Sequence, residues 1–129
     1  MSERRFILIA EDEPDTASLL QFHLQRRGYR TKVAVDGFSA LNFSFEDRPD
    51  LVVLDLMLPK MNGFEVCRML KASPTTRGIP VFMLTAMAST ESKVEAFQVG
   101  ATDYMTKPFE IAELLVRIES RLQHIRNKS

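Results

Sequence analysis

Four apolar runs in this chain end in residues that can do chemistry. Leu51-Val52-Val53-Leu54 runs into Asp55, and Phe6-Ile7-Leu8-Ile9-Ala10 runs into Glu11 and Asp12. Val81-Phe82-Met83-Leu84 runs into Thr85, and the short Tyr104-Met105 is followed by Lys107. A carboxylate at the tip of a strand buried on both faces is costly unless something compensates it. Two like charges about 4 Å apart repel by roughly 4 kcal/mol at an effective dielectric near 20. Three carboxylates at one crevice therefore call for a cation. All three are hard oxygen ligands, and no His or Cys lies near them in sequence, which favours Mg²⁺ or Mn²⁺ over zinc. With such a cation, Asp55 is a candidate phosphoryl nucleophile. Lys107 and the Thr85 hydroxyl are then candidates to neutralise and hydrogen-bond the phosphoryl oxygens.

These tips meet only if the runs form one parallel sheet. Five strand-like runs alternate with five helix-like runs. The strands span Phe6–Ala10, Tyr29–Val35, Leu51–Asp55, Ile79/Pro80–Thr85 and Asp103–Met105. The helices start at Pro14, near Ser39, near Phe64, at Ser89 or Thr90, and around Ile111. Ala17, Leu20 and Leu24 give the first helix one apolar stripe; Ile111, Leu114, Leu115, Ile118, Leu122 and Ile125 give the last the strongest one. Strand–helix alternation with two-sided apolar strands predicts an α/β, doubly wound, five-stranded parallel sheet covered on both faces. Order 2-1-3-4-5 places the switch point between strands one and three, so Glu11, Asp12 and Asp55 border one crevice.

The 129 residues fit one domain over 1–129, with a core of about residues 5 to 125. Residues 126–129 read as a polar tail or the start of a linker. Seventeen basic and seventeen acidic residues cancel, which gives no case for nucleic-acid or membrane binding by this segment. One cysteine, Cys67, excludes an internal disulfide and fits a reducing compartment. No run approaches a membrane span and the start lacks a signal-peptide pattern, so a cytoplasmic location is expected.

The motifs Glu11-Asp12-Glu13, Leu54-Asp55-Leu56-Met57-Leu58-Pro59 with Asn62-Gly63, Leu84-Thr85-Ala86, Gly100-Ala101 and Tyr104-Met105-Thr106-Lys107-Pro108-Phe109 occur in order. Together they resemble the receiver domain of bacterial two-component response regulators, over nearly the whole chain. The resemblance implies a CheY-like, flavodoxin-like fold and phosphorylation of Asp55 by a histidine kinase or phosphotransfer protein. It implies Mg²⁺ held by Asp12, Asp55 and the backbone carbonyl of Met57, with Glu11 acting through water. It implies a switch in which Thr85 moves toward the phosphate and Tyr104 turns inward, and a cis Lys107-Pro108 bond. Such a domain catalyses only its own phosphorylation and dephosphorylation. The Tyr104 to Phe109 segment is most like regulators carrying a winged-helix DNA-binding domain. Members of that branch dimerise through ion pairs, here Lys93 with Glu113 and Asp103 with Arg117. Thr102 and His124 stand where a third pair would have an acid and an arginine.

Other readings fit less well. Glu13, just before Pro14, suits a helix-start charge better than a ligand. Cys67 reads as a core or boundary residue, and His23 and His124 read as surface or boundary residues rather than ligands. An aspartate-nucleophile phosphohydrolase needs a second acid two residues after the nucleophile, where this chain has Met57. A flavodoxin-like carrier needs a hydroxyl- and glycine-rich phosphate loop after the first strand, where Glu11-Asp12-Glu13 would repel phosphate. A degenerate receiver acting only as an interaction module would not need the complete acidic set.

Overall fold

The computed structural model describes residues 4–128. Its strands are β1 (Phe6–Ala10), β2 (Arg30–Ala34), β3 (Leu51–Leu54), β4 (Val81–Thr85) and β5 (Asp103–Thr106). The helices are α1 (Pro14–Arg26), α2 (Gly37–Asp47), α3 (Gly63–Ala72), α4 (Thr90–Gln98) and α5 (Ile111–Lys128). All strand pairs are parallel, in the order β2-β1-β3-β4-β5. The expected α/β doubly wound sheet is the one observed.

Side chains alternate across the sheet, and the two faces build two cores. Ile7, Ile9, Leu51, Val53, Phe82, Leu84 and Met105 pack with Leu20 and Leu24 of α1 and Leu114, Leu115 and Ile118 of α5. Leu8, Ala10, Val52, Leu54, Val81, Met83 and Tyr104 pack with Ala40, Val66, Cys67, Leu70 and Ala96 of α2, α3 and α4. Burial on both faces is why the central strands read as unbroken apolar runs. Cys67 is fully buried, and desolvation pushes its thiol up to about 11, as befits a packing residue.

Several element ends differ from the sequence reading, each for a local reason. α2 starts at Gly37 rather than near Ser39, because the Asp36 carboxylate accepts the Ser39 amide at 2.7 Å and caps the helix. Ser89, not Thr90, caps α4 by accepting the Ser92 amide. β2 stops at Ala34, opposite Ala10. Val35 lies past that last paired position and is exposed rather than part of a strand face. α5 continues through Lys128, so residues 126–128 are helical rather than a polar tail. Ser129, the Met1-Ser2-Glu3 start and the Ile125 side chain lie outside the described residues. No helix among the described residues is long and apolar enough to cross a membrane.

Candidate functional site

Glu11, Asp55 and Lys107 sit one position beyond their strands, and the ladder reaches out to hold them. The Glu11 amide donates to the Ala34 carbonyl at 2.9 Å, and the Asp55 amide donates to the Ala10 carbonyl at 3.0 Å. The Lys107 amide donates to the Thr85 carbonyl at 2.8 Å. Each backbone is thus fixed by the neighbouring strand at the carboxyl edge of the sheet. Asp55 is therefore the first residue after β3 rather than its last, a one-residue difference from the sequence reading. The Lys107-Pro108 bond is cis, as expected.

Lys107 joins the acids. Its Nζ donates to Glu11 Oε1 at 2.6 Å and to Asp55 Oδ2 at 2.9 Å. The remaining oxygens take backbone donors: Glu11 Oε2 accepts from the Glu13 amide at 3.1 Å and Asp55 Oδ1 from the Met57 amide at 3.0 Å. Glu11 and Asp55 are only 3% and 5% exposed, whereas Asp12 is exposed. Burial holds the Glu11 carboxyl above the ordinary carboxylate range, outweighing the Lys107 and Glu13 hydrogen bonds. Burial pulls Lys107 the other way, but its bonds to Glu11 and Asp55, with their charges, raise it overall and keep it an ammonium.

Oxygen atoms of Glu11, Asp12 and Asp55 lie within 4.8 Å of one another. Three carboxylates against one ammonium leave a formal charge of −2 at the crevice (−3 + 1). A divalent cation cancels that charge, and an all-oxygen donor set suits a hard one. The three acids therefore form an acidic pocket suited to metal binding. Glu13 stands outside the cluster at the N-terminal cap position of α1, where its carboxylate accepts the Thr16 hydroxyl.

Thr85 and Tyr104 connect to each other through one residue. Thr85 is fully buried at the end of β4, and its Oγ1 accepts the Met87 amide at 3.4 Å. The Met87 carbonyl accepts the Tyr104 hydroxyl at 2.6 Å. Tyr104 is turned inward and buried, and burial together with the Asp55 charge raises its hydroxyl pKa. Met87 as a backbone bridge was not legible in the sequence, because its carbonyl and amide do the work and its side chain carries no signal.

The residues expected to form ion pairs across two subunits sit together within one chain. Arg117 Nη1 donates to Asp103 Oδ1 at 2.8 Å and Nη2 to Glu113 Oε2 at 2.6 Å. Glu113 is thus held by Arg117 one turn away, and Lys93 borders the same hollow beside Tyr104 and Glu113. The sequence reading gave Lys93 to Glu113 and Arg117 to Asp103 across two subunits. The structure satisfies Arg117 locally, since i,i+4 spacing puts it over Glu113.

The sequence pattern of the response regulator receiver domain matches residues 7–119. The DNA-binding dual master transcriptional regulator RpaA of Synechocystis sp. is 43% identical over 117 residues, covering 91% of this chain and 48% of that protein. The DNA-binding response regulator MtrA of Mycolicibacterium smegmatis is 46% identical over 120 residues, covering 93% of this chain and 51% of that protein. The chain therefore spans about half the length of these relatives. Among solved structures, the receiver domain of a Pseudomonas aeruginosa sensor histidine kinase, with a magnesium ion in its active-site cleft, superposes with a TM-score of 0.86 at 30% identity. That match covers 94% of this chain and 99% of that one. The BeF₃-activated receiver domain of Klebsiella pneumoniae RstA gives 0.85 at 30% identity, covering 92% and 98%. Strand tips, crevice and sequence relatives agree, and the chain belongs to the response regulator receiver domain family of two-component signalling.

Proposed function

We propose that Asp55 accepts a phosphoryl group from a histidine kinase or phosphotransfer protein, and that the domain passes this event to an output partner or domain. The observation that carries the reading is Lys107 bridging Glu11 and Asp55 beside an exposed Asp12. That arrangement leaves the crevice two positive charges short of neutrality. Asp12, Asp55 and the Met57 carbonyl would hold Mg²⁺, with Glu11 acting through water. Bound there, the ion would neutralise phosphoryl oxygens. An Asp55 oxygen attacks phosphorus, the bond to the donor breaks, and the donor leaves with the bonding electrons. Lys107 turns from Asp55 to a phosphoryl oxygen, and the Thr85 hydroxyl donates to another. The domain thus catalyses only its own phosphorylation and dephosphorylation. A hollow of about 570 Å³ beside Lys107, with Leu19, Pro108, Phe109 and Ile111 on its wall and Glu13 and Glu110 among them, offers a phosphodonor protein a partly apolar seat. Such a donor fits a cytoplasmic setting. Incubation with acetyl phosphate and Mg²⁺ tests the reading by intact mass. One phosphoryl group should be gained with the ion and none in EDTA; no gain under either condition overturns it.

The metal assignment has its own test. Asp12→Ala removes one repelling charge and one ligand together. Its metal-free melting temperature should equal or exceed that of the wild type, and its response to Mg²⁺ should vanish. A Mg²⁺ response equal to the wild type's would remove Asp12 from the ligand set.

Phosphate lifetime should depend on Met57. Its side chain is 60% exposed at the crevice mouth and Met87 is half-buried nearby. Neither thioether can orient an attacking water as an amide does. Met57→Asn should lose phosphate severalfold faster than wild type in a pulse-chase of the aspartyl phosphate; an equal or slower loss contradicts this.

The face formed by α4, β5 and α5 is the proposed homodimer surface, with Lys93, Asp103, Glu113 and Arg117 at its centre. Arg117 must trade its partners within the chain for those across the axis, and exposed pairs contribute only about 0–1 kcal/mol each. The dimer should therefore be weak. Light scattering should find monomer alone and dimer with a beryllofluoride phosphate mimic. A monomer in both states would redirect the face to a different protein.

A further inference from the structure

The β3–α3 loop, residues 56–62, is gripped from outside by the turn that starts α2. The Gly37 amide donates to the Pro59 carbonyl at 3.1 Å, and the same carbonyl accepts the Met61 amide at 2.8 Å. A Cβ at Gly37 would fall 1.8 Å from the Met61 carbonyl oxygen and 2.6 Å from its carbon, so no side chain fits there. Lys60 takes a left-handed backbone conformation, φ 71°, unusual for a residue with a side chain. Its ammonium lies 3.6 Å from Asp36 Oδ2, while Asp36 Oδ1 caps α2. The inner edge of the loop is fixed as well: Leu56 and Leu58 are buried, and the Gly63 amide donates to the Leu56 carbonyl at 2.9 Å. The loop is thus held between the core and the α2 turn, and Met57 lies on its near end, one residue past buried Leu56.

We infer that Asp36, Gly37 and Lys60 are positioning residues that hold the β3–α3 loop in the shape that presents the Met57 carbonyl to the cation. This rests on the proposed metal set of Asp12, Asp55 and Met57. The three residues touch neither the acids nor the phosphoryl position; they act only through the loop. Loss of a partner bonded directly to a metal ligand commonly changes affinity by about tenfold or more, which sets about tenfold as the upper expectation for contacts acting through the loop.

The test compares three variants with wild type in three measurements: Mg²⁺ affinity by calorimetry, amide exchange across residues 56–63 without metal, and thermal melting. Gly37→Ala should weaken Mg²⁺ by about tenfold and raise loop exchange. Lys60→Gly keeps a residue at ease with positive φ but removes the ammonium, so it folds even if Gly37→Ala does not. It should weaken Mg²⁺ by a smaller factor, about threefold, and raise exchange in the same loop. Gly28→Ala is the control. Gly28 has φ 91° with no atom within 4 Å of an added Cβ, so the change strains a turn far from the loop. It should lower the melting temperature and leave Mg²⁺ affinity unchanged. Wild-type loop exchange and affinity in Lys60→Gly would overturn the inference, as would equal loss of affinity in Gly28→Ala. Absence of Mg²⁺ binding by the wild type would instead overturn the metal reading on which it rests.

Discussion

Lys107→Ala should destabilise the metal-free domain by about 2–4 kcal/mol, because it strands two buried carboxylates without a counter-charge. Glu11 and Asp55 are nearly fully buried, and their only cationic partner among the described residues is the Lys107 ammonium at 2.6 and 2.9 Å. The backbone amides of Glu13 and Met57 remain but carry no net charge. A divalent cation would then be the sole source of positive charge at the crevice. The rise in melting temperature with Mg²⁺ should therefore be larger in Lys107→Ala than in wild type. Thermal melts of both proteins in EDTA and in Mg²⁺ check the point. Equal metal-free stability would mean that the ion pairs contribute nothing. A smaller Mg²⁺ response in the variant would mean that Lys107 and the cation do not share one charge deficit. The same variant should accept phosphate more slowly, since no ammonium remains to meet the incoming oxygens.

The strands and the crevice were legible because burial on both faces writes itself as unbroken apolar runs. A charged residue at the end of such a run stands out. Glu11, Asp12 and Asp55 stand out this way, Thr85 and Lys107 follow from their place at the later strand ends, and the structure brings all five to one edge of the sheet. Element ends were less legible. Polar Arg126-Asn127-Lys128 carry no stripe, yet a helix already paid for by packing at Leu114, Ile118 and Leu122 runs on through them. Contacts made by backbone were not legible at all. Nothing in Met87 announces that its carbonyl receives Tyr104, and nothing in the Asp36-Gly37 turn announces that it presses on Met61. Pairing choices were ambiguous for a different reason. Asp103, Glu113 and Arg117 were expected to pair across two subunits, but Arg117 reaches both acids within its own chain, one of them at i,i+4 spacing.

Tyr104 already lies inward, bonded to Met87 beside Thr85. The proposed switch therefore has its parts in contact: Asp55 next to Lys107, Thr85 to Met87, Met87 to Tyr104, and Tyr104 beside the α4–β5–α5 face.

All of this depends on Asp55 as the phosphoacceptor. The most direct measurement is the intact mass of wild type and Asp55→Asn after acetyl phosphate and Mg²⁺, followed by peptide mapping. Asn keeps the size of the side chain and its acceptor for the Met57 amide but offers no carboxylate nucleophile. The account predicts one phosphoryl group on the wild-type peptide containing Asp55 and none anywhere on Asp55→Asn. A phosphoryl group retained by Asp55→Asn, or mapped to any other residue of the wild type, would contradict it.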